Sequence, residues 1–328
     1  MFNQKEEPIL EARHVSRVFP ISDGRSLRAN NDINLKMYRG QTLGIVGESG
    51  CGKSTLMRML VQLDQPTEGE IFFLGRNVKT LTKKERRETR RHIQMVFQDP
   101  SSALNPKMKI KDIICEPLLN FGVISRKEKD AEARRLLRLV ELPEEFADRY
   151  PHNMSGGQRQ RVGIARAIAL EPEVILCDEA TSALDVSVQK NIMELLAKLQ
   201  MEKKITIGFI CHDIALVSQI AHQIAVMYLG NVVEVLPGAQ MKRSARHPYT
   251  VALLGSIFDT NMDFSQKIES IDSEIPSPLD VPPGCPFQNR CDRCMEICRK
   301  ERPMLRKIDE GHEVACHLFE EKEGGERR

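Results

Sequence analysis

The chain has 328 residues, 41% of them hydrophobic and 29% charged, with 48 Lys and Arg against 46 Asp and Glu for a net charge of +2. This is the composition of an ordinary globular protein of one large domain or two to three modest ones. The near balance of charge removes the electrostatic case for a nucleic-acid binder, and no apolar run approaches the roughly 20 residues of a membrane-spanning helix.

From the N-terminus, MFNQKEEPILEARHV lacks the apolar segment of a secretion signal, so the chain is expected to stay in the cytoplasm. ILEARHVSRVF alternates as a strand, and DINLKMYRG and TLGIVG follow as two more. KSTLMRMLVQL carries its apolar residues at helical spacing. After the turn-rich DQPTEGE, GEIFFLG reads as a strand. The basic run KKERRETRRH, Lys83 to His92, reads as a solvated helix face, and IQMVFQD as a further strand. EKDAEARRLLRLVEL is an amphipathic helix, and SGGQRQRVGIARAIAL opens on glycines and continues as a helix. EVILCDE and TIGFICHD are strands separated by the helix VQKNIMELLAKLQ. This alternation predicts a parallel sheet covered on both faces. HQIAVMYLGNVVEVLP reads as a β-hairpin turning at Gly230–Asn231. Beyond about residue 245 the regularity fails. SEIPSPLDVPPGCPF is Pro-rich and marks a boundary or extended linker, and EEKEGGERR reads as a disordered tail.

Three stretches carry chemistry. TLGIVGESGCGKST holds Gly47-x-x-x-x-Gly52-Lys53-Ser54 between a strand and a helix, the context a P-loop requires. Across Gly47, Ser49, Gly50, Cys51, Gly52, Lys53, Ser54 and Thr55, backbone N–H groups can converge on phosphate oxygens at a helix N-terminus. Lys53 can reach the β- and γ-phosphates, and the Ser54 hydroxyl can bind Mg²⁺. EVILCDEA delivers Asp178 and Glu179 at the end of a buried strand, where Asp178 can hold Mg²⁺ through water and Glu179 can polarise the attacking water. MSGGQRQR places Ser155 ahead of a helix, as an N-cap and as a second anion site of hydroxyl and backbone donors.

In this order, P-loop, VFQD, SGGQ, ILCDEATSALD and ICHD, the chain resembles the ATPase subunits of ATP-binding-cassette transporters across about residues 8 to 240. The resemblance implies an α/β fold. It comprises a RecA-like parallel core with an antiparallel β subdomain and a helical subdomain at about 100–165, together residues 1–245, followed by a small irregular extension at 246–328. It implies ATP and Mg²⁺ as cofactors, with the metal held by Ser54, Gln98 and Asp178. Gln98 links metal and water to the membrane partner, and His212 contacts the γ-phosphate beside the catalytic Glu179. Ser155, Gly156, Gly157 and Gln158 clasp the γ-phosphate bound by the opposite subunit. Asp185 lines the dimer interface, and Phe19 stacks on adenine or else is a core aromatic. Met154, Ala180 and Cys211 depart from the residues commonest at their positions, and none removes a functional group.

VFQDPSSALNP, YPHNMSGGQRQR, SALDVSVQ, AVMYLGNVVE and HPYTVALL narrow the resemblance to the peptide-importer branch, which carries dipeptides, oligopeptides or nickel chelates. The SGGQRQR form is similar to the second of its two paired ATPases. The implied partners are a homologous ATPase in a heterodimer or homodimer, two membrane permeases and, indirectly, an external solute-binding protein, with no nucleic acid. The implied place is the cytoplasmic face of the membrane. A non-transport cassette ATPase is the rival. Those acting in translation carry two cassettes in one chain, and those acting on chromosomes insert long coiled coils where only roughly 100 residues separate Lys53 from Ser155 here.

Five cysteines fall late: Cys285, Cys291, Cys294, Cys298 and Cys316. In the cytoplasm disulfides are disfavoured, and short spacings point to metal or redox chemistry. The run lacks the two C-x2-C pairs of a zinc ribbon, whereas thiolates around a 4Fe–4S cluster tolerate irregular spacing. Zinc and free thiols stand as alternatives. The importer extension carries C-x5-C-x6-C with a distant fourth cysteine. By resemblance these are Cys285, Cys291, Cys298 and Cys316, within a block at about 284–318, with Cys294 an extra thiol. The implied cluster is structural, with redox regulation as the alternative.

Overall fold

A computed structural model describes residues 7–21, 24–179, 185–211, 213–255, 277–279 and 281–320. They divide into two compact units, one of residues up to 38, 43–79 and from 212 onward, the other of 39–42 and 80–211.

The first unit begins with β1 (Leu10–Pro20) and β2 (Ser26–Met37), an antiparallel pair. Its register breaks near His14 and Asp32, both at positive φ (51° and 52°) and joined by Nδ1 to Oδ1 at 2.7 Å. β3 (Thr42–Val46) is buried at all five residues and runs into α1 (Lys53–Leu60). β4 (Glu68–Phe73) and β5 (Arg76–Asn77) complete a four-stranded antiparallel sheet in the order β2-β1-β4-β5.

The second unit holds α2 (Lys83–His92), β6 (Ile93–Val96), α3 (Pro100–Ala103), α4 (Ile110–Asn120), α5 (Lys129–Leu139) and α6 (Gly156–Ile168). β7 (Val174–Cys177), α7 (Val186–Lys203) and β8 (Thr206–Ile210) complete it. β6, β7 and β8 pair in parallel. β7 and β8 are buried throughout, which is why they read as unbroken apolar runs. The helices bury one stripe each, with Ile113, Ile114 and Leu118 of α4 and Leu136 and Leu137 of α5 fully enclosed. α2 buries only Thr89 and is a largely solvated helix, opened by a capping box of Thr82 and Glu85.

The chain then returns to the first unit with α8 (Ile214–Ile220), β9 (Gln223–Tyr228), β10 (Asn231–Pro237), α9 (Met241–Ser244) and α10 (Pro248–Gly255). α11 (Glu296–Lys300), β11 (Arg306–Asp309) and β12 (His312–Val314) close it. β9 lies parallel to β3 and antiparallel to β10. The hairpin turns at Leu229–Gly230, a residue earlier than expected, because both take positive φ (41° and 76°). Asn231 already starts β10, and its side-chain amide donates to the Leu229 carbonyl at 2.7 Å. The predicted loss of regularity after 245 is partial. β12 pairs with β10, and β11 with β12, so the extension adds a second hairpin to the sheet.

Candidate functional site

The P-loop is shaped by close backbone approach. A Cβ on Gly47 (φ 147°) would lie 2.1 Å from the Met227 carbonyl oxygen, and one on Gly52 (φ 98°) 2.1 Å from that of Ala29, so only glycine fits either position. Lys53 is 4% exposed, and its Nζ donates to the carbonyls of Gly47 (2.8 Å) and Glu48 (2.9 Å), which fixes the ammonium inside the loop. Ser49 and Gly50 are exposed at the tip, while Ser54 and Thr55 are half-buried in the first turn of α1. A helix N-terminus and an enclosed cation together suit a polyphosphate. Burial pushes the Cys51 thiol up, against the opposing pull of Lys53, so it is an uncharged member of the loop.

Distant segments brace this loop. Asn30 Nδ2 donates to the Gly52 carbonyl (3.1 Å), the Gly230 N–H to that of Cys51 (3.0 Å), and the Glu48 N–H to Tyr249 Oη (3.0 Å). The Glu48 carboxylate receives both Arg290 Nη atoms, at 2.9 and 3.1 Å. Phe19, on β1, is half-buried with the Arg17 guanidinium 4.5 Å from its ring centre.

In the second unit, β7 delivers Asp178, 8% exposed, with its N–H on the Val96 carbonyl (3.0 Å). Glu179 follows at φ 45°, a strained value for a side chain other than glycine, and its Oε2 accepts from Gln98 Nε2 at 2.6 Å. Asp99 caps α3 through the Ser101 N–H, and that bond holds its carboxyl below the usual range. The structure thus brings Gln98 and Glu179 together, while His212 lies outside the described residues.

Ser155 caps α6. Its Oγ accepts the Gln158 N–H (3.3 Å), and Gln158 Oε1 accepts the Ser155 N–H (2.9 Å), a closed capping box on an exposed turn. Gly156 opens the helix, and a Cβ on Gly157 would lie 2.6 Å from Val188 Cγ1, so a glycine lets α6 approach α7. Asp185 precedes α7 as an exposed N-cap without a side-chain cap bond.

Cys285, Cys291, Cys298 and Cys316 border one small cavity with Phe287 and His317, while Cys294 is not among its lining residues. The Cys285 N–H donates to the Cys298 carbonyl at 2.7 Å. Burial first, then repulsion from the neighbouring thiols, pushes Cys285 up to about 12 and Cys316 up to about 11, so both are neutral thiols unless a cation stabilises the thiolates. Among the described residues, no three His, Cys, Asp or Glu side chains are grouped so as to hold a metal ion. The expected cluster is therefore not seen as a closed ligand set. The cavity lining is the feature that bears on it.

Sequence reasoning missed Tyr228, Tyr249 and Arg290 as parts of the nucleotide loop. HPYT and CPFQNRC carry two of them, but an arginine 242 positions from its carboxylate leaves no local trace of the pairing.

Comparison with known proteins gives a consistent picture. The ABC transporter family is matched over residues 30–182, and the C-terminal region of oligopeptide/dipeptide transporters over 233–298. The chain is 43% identical to the oligopeptide transport ATP-binding protein AppF of Bacillus subtilis over 323 residues, covering 96% of this chain and 98% of that protein. It is 41% identical to the oligopeptide transport ATP-binding protein OppF of Haemophilus influenzae over 325 residues, covering 96% and 98%. Among solved structures, the dimeric post-hydrolysis state of the ATP-binding cassette MJ0796, bound to ADP and phosphate, superposes with a TM-score of 0.64 at 33% identity, covering 70% of this chain and 98% of that one.

Proposed function

This chain belongs to the ATP-binding subunits of ABC transporters, and on that footing we propose that it is the ATP-hydrolysing motor of an importer for oligopeptides or dipeptides. The observation that carries the reading is the joint presence, on one chain, of a nucleotide cassette and the peptide-transporter C-terminal region, over nearly the full length of the relatives. Residues 1–245 are the cassette, with a helical subdomain at about 100–165, and 246–328 the extension.

The reaction converts ATP and water to ADP and phosphate. Lys53 and the loop from Gly47 to Thr55, Glu48 excepted, bind the phosphates, and Phe19 takes the adenine. Ser54, Gln98 and Asp178 offer the oxygen donors that Mg²⁺ prefers; the ion, when bound, neutralises phosphate charge. Glu179 orients the attacking water, with Gln98 holding its carboxylate. His212 completes the γ-phosphate contacts. Ser155, Gly156, Gly157 and Gln158 serve the nucleotide of a second ATPase subunit, with Asp185 at the interface. That subunit is a homologous ATPase in a heterodimer, or a second copy of this chain in a homodimer. Two membrane permeases, fed by an external solute-binding protein, receive the stroke at the cytoplasmic face of the membrane. Among the described residues no helix is long and apolar enough to cross a membrane, in keeping with a peripheral subunit.

Cys285, Cys291, Cys298 and Cys316 would hold a 4Fe–4S cluster. Support comes from four thiols on one cavity, soft donors that suit iron–sulfur chemistry. Anaerobically purified protein is expected to be brown with about four irons per chain, kept in Cys294→Ser and lost in Cys291→Ser. Colourless protein with one zinc overturns this.

For the transport reading, deleting the gene should abolish uptake of a labelled dipeptide or oligopeptide. Wild type, but not Lys53→Ala, should restore it. Uptake unchanged in the deletion strain would reject the proposal.

A further inference from the structure

Three motifs that mark the peptide-importer branch, and that the catalytic reading leaves without a task, converge on one residue of the nucleotide loop. AVMYLGN supplies Tyr228, HPYT supplies Tyr249 and CPFQNRC supplies Phe287 and Arg290. The two tyrosine rings lie 4.6 Å apart, and Phe287 packs at 5.3 Å edge-on to Tyr228 and 5.4 Å from Tyr249. Over this aromatic floor Arg290 Nη1 reaches Tyr228 Oη (3.3 Å), and both Nη atoms reach the Glu48 carboxylate. The pair is enclosed, with side-chain exposures of 4% for Arg290 and 17% for Glu48.

Glu48 sits within the P-loop, directly after Gly47. Its carbonyl accepts from Lys53 Nζ, its N–H donates to Tyr249 Oη, and its carboxylate faces Arg290. All the polar groups of one residue are thereby committed, and the phosphate-binding ammonium leans on that same residue. A bare carboxylate here would repel an incoming triphosphate through a poorly screened interior. A planar guanidinium meets the carboxylate with two parallel donors, which a lysine cannot do.

We infer that Arg290, from the cysteine block, is a positioning residue for the nucleotide loop: it neutralises Glu48 and sets the loop, and with it Lys53, for a polyphosphate. The inference rests on the nucleotide reading of the loop given above. It gives the extension a task in ATP binding that is separate from any cluster.

The test measures ATP affinity and melting temperature of the full chain, alone, for wild type, Arg290→Met, Arg290→Lys and the double variant Glu48→Gln with Arg290→Met. Arg290→Met should weaken ATP binding about tenfold or more, because it leaves an uncompensated buried charge in the loop. The double variant removes that charge and should recover affinity to within about threefold of wild type. Arg290→Lys, which keeps the charge and loses the fork, should fall between wild type and Arg290→Met. A merely structural arginine would lower the melting temperature in both neutralised variants without restoring affinity in the double. ATP affinity unchanged in Arg290→Met, or a double variant no better than the single, overturns the inference. If Arg290→Met does not fold, the double and lysine variants decide: ATP binding lost in the double, or unaltered in the lysine variant, overturns it. Failure of the wild-type chain to bind ATP would instead remove the nucleotide reading beneath it.

Discussion

The nucleotide loop and the Ser155 turn both present N–H groups at the start of a helix, yet they are held by opposite means. The loop is tied to β2, to the β9–β10 turn, to Tyr249 and to Arg290, and Lys53 is almost fully enclosed. The Ser155 turn is exposed and satisfies itself, with Ser155 and Gln158 capping each other three residues apart. A site over-determined by its surroundings is ready for its ligand before the ligand arrives. A site that caps only itself keeps its outer face open for a group from elsewhere, as the proposed clasp on a second subunit's nucleotide requires.

The largest effect should come from Glu179→Gln, which asks whether chemistry can be removed while the loop stays intact. Hydrolysis should fall about 10²–10⁴-fold, the usual worth of a positioned general base, with ATP binding retained. Phosphate release set against nucleotide binding checks it, and near-normal turnover would strip Glu179 of its role.

Acid should strain the loop's side of the comparison. Burial, against a smaller opposing influence of Glu234, lowers His247 from 6.5 to about 4, so the folded chain keeps it neutral where the unfolded chain protonates it. Its contribution is fully present above pH 6.5, is lost as pH falls from there to about 4, and changes no further below. The total is about 3 kcal/mol at roughly 1.4 kcal/mol per unit. Melting curves of wild type and His247→Gln should converge across that window. Parallel curves would mean that His247 is not held neutral.

Tyr249→Phe should cost about 1 kcal/mol, since it strands the part-buried Glu48 N–H, and should weaken ATP binding alongside stability. A loss of stability with unchanged ATP affinity would detach the brace from the loop's task. Ser155→Ala should cost a similar amount, about 1 kcal/mol for a lost cap, with ATP binding by the lone chain untouched. Only ATP-dependent pairing, followed by light scattering, should suffer. Weakened binding in the lone chain would dissolve the contrast between the two helix starts.

The elements that carry chemistry were legible because each is a short pattern with a local cause. Glycines at Gly47 and Gly52 stand where a side chain would strike a carbonyl, and an apolar run ends in Asp178 and Glu179. The Ser155 cap was legible for the same reason. The shift of the hairpin turn to Leu229–Gly230 was not, because a leucine at positive φ has no sequence signature. Nor was the β11–β12 hairpin, although Glu310–Gly311 with Gly311 at φ 70° was the available turn signal. Arg290 and Tyr249 escaped because their partner, Glu48, lies more than two hundred residues away, and periodicity reports only neighbours.

The pairing of β12 with β10 has a consequence for the chain's life outside the folded state. β10 carries Val232, Val233, Val235 and Leu236, all buried. With the hairpin removed, its free flank would be a flat, β-branched template for pairing with other chains. The strand that takes its place outermost on that side, β11, begins Arg306-Lys307, both exposed, and is only four residues long. Short, cationic border strands are how sheets discourage growth by addition. The β11–β12 hairpin covers that flank of β10, and chains shortened before it are expected to aggregate more readily, which light scattering of the truncated chain would check.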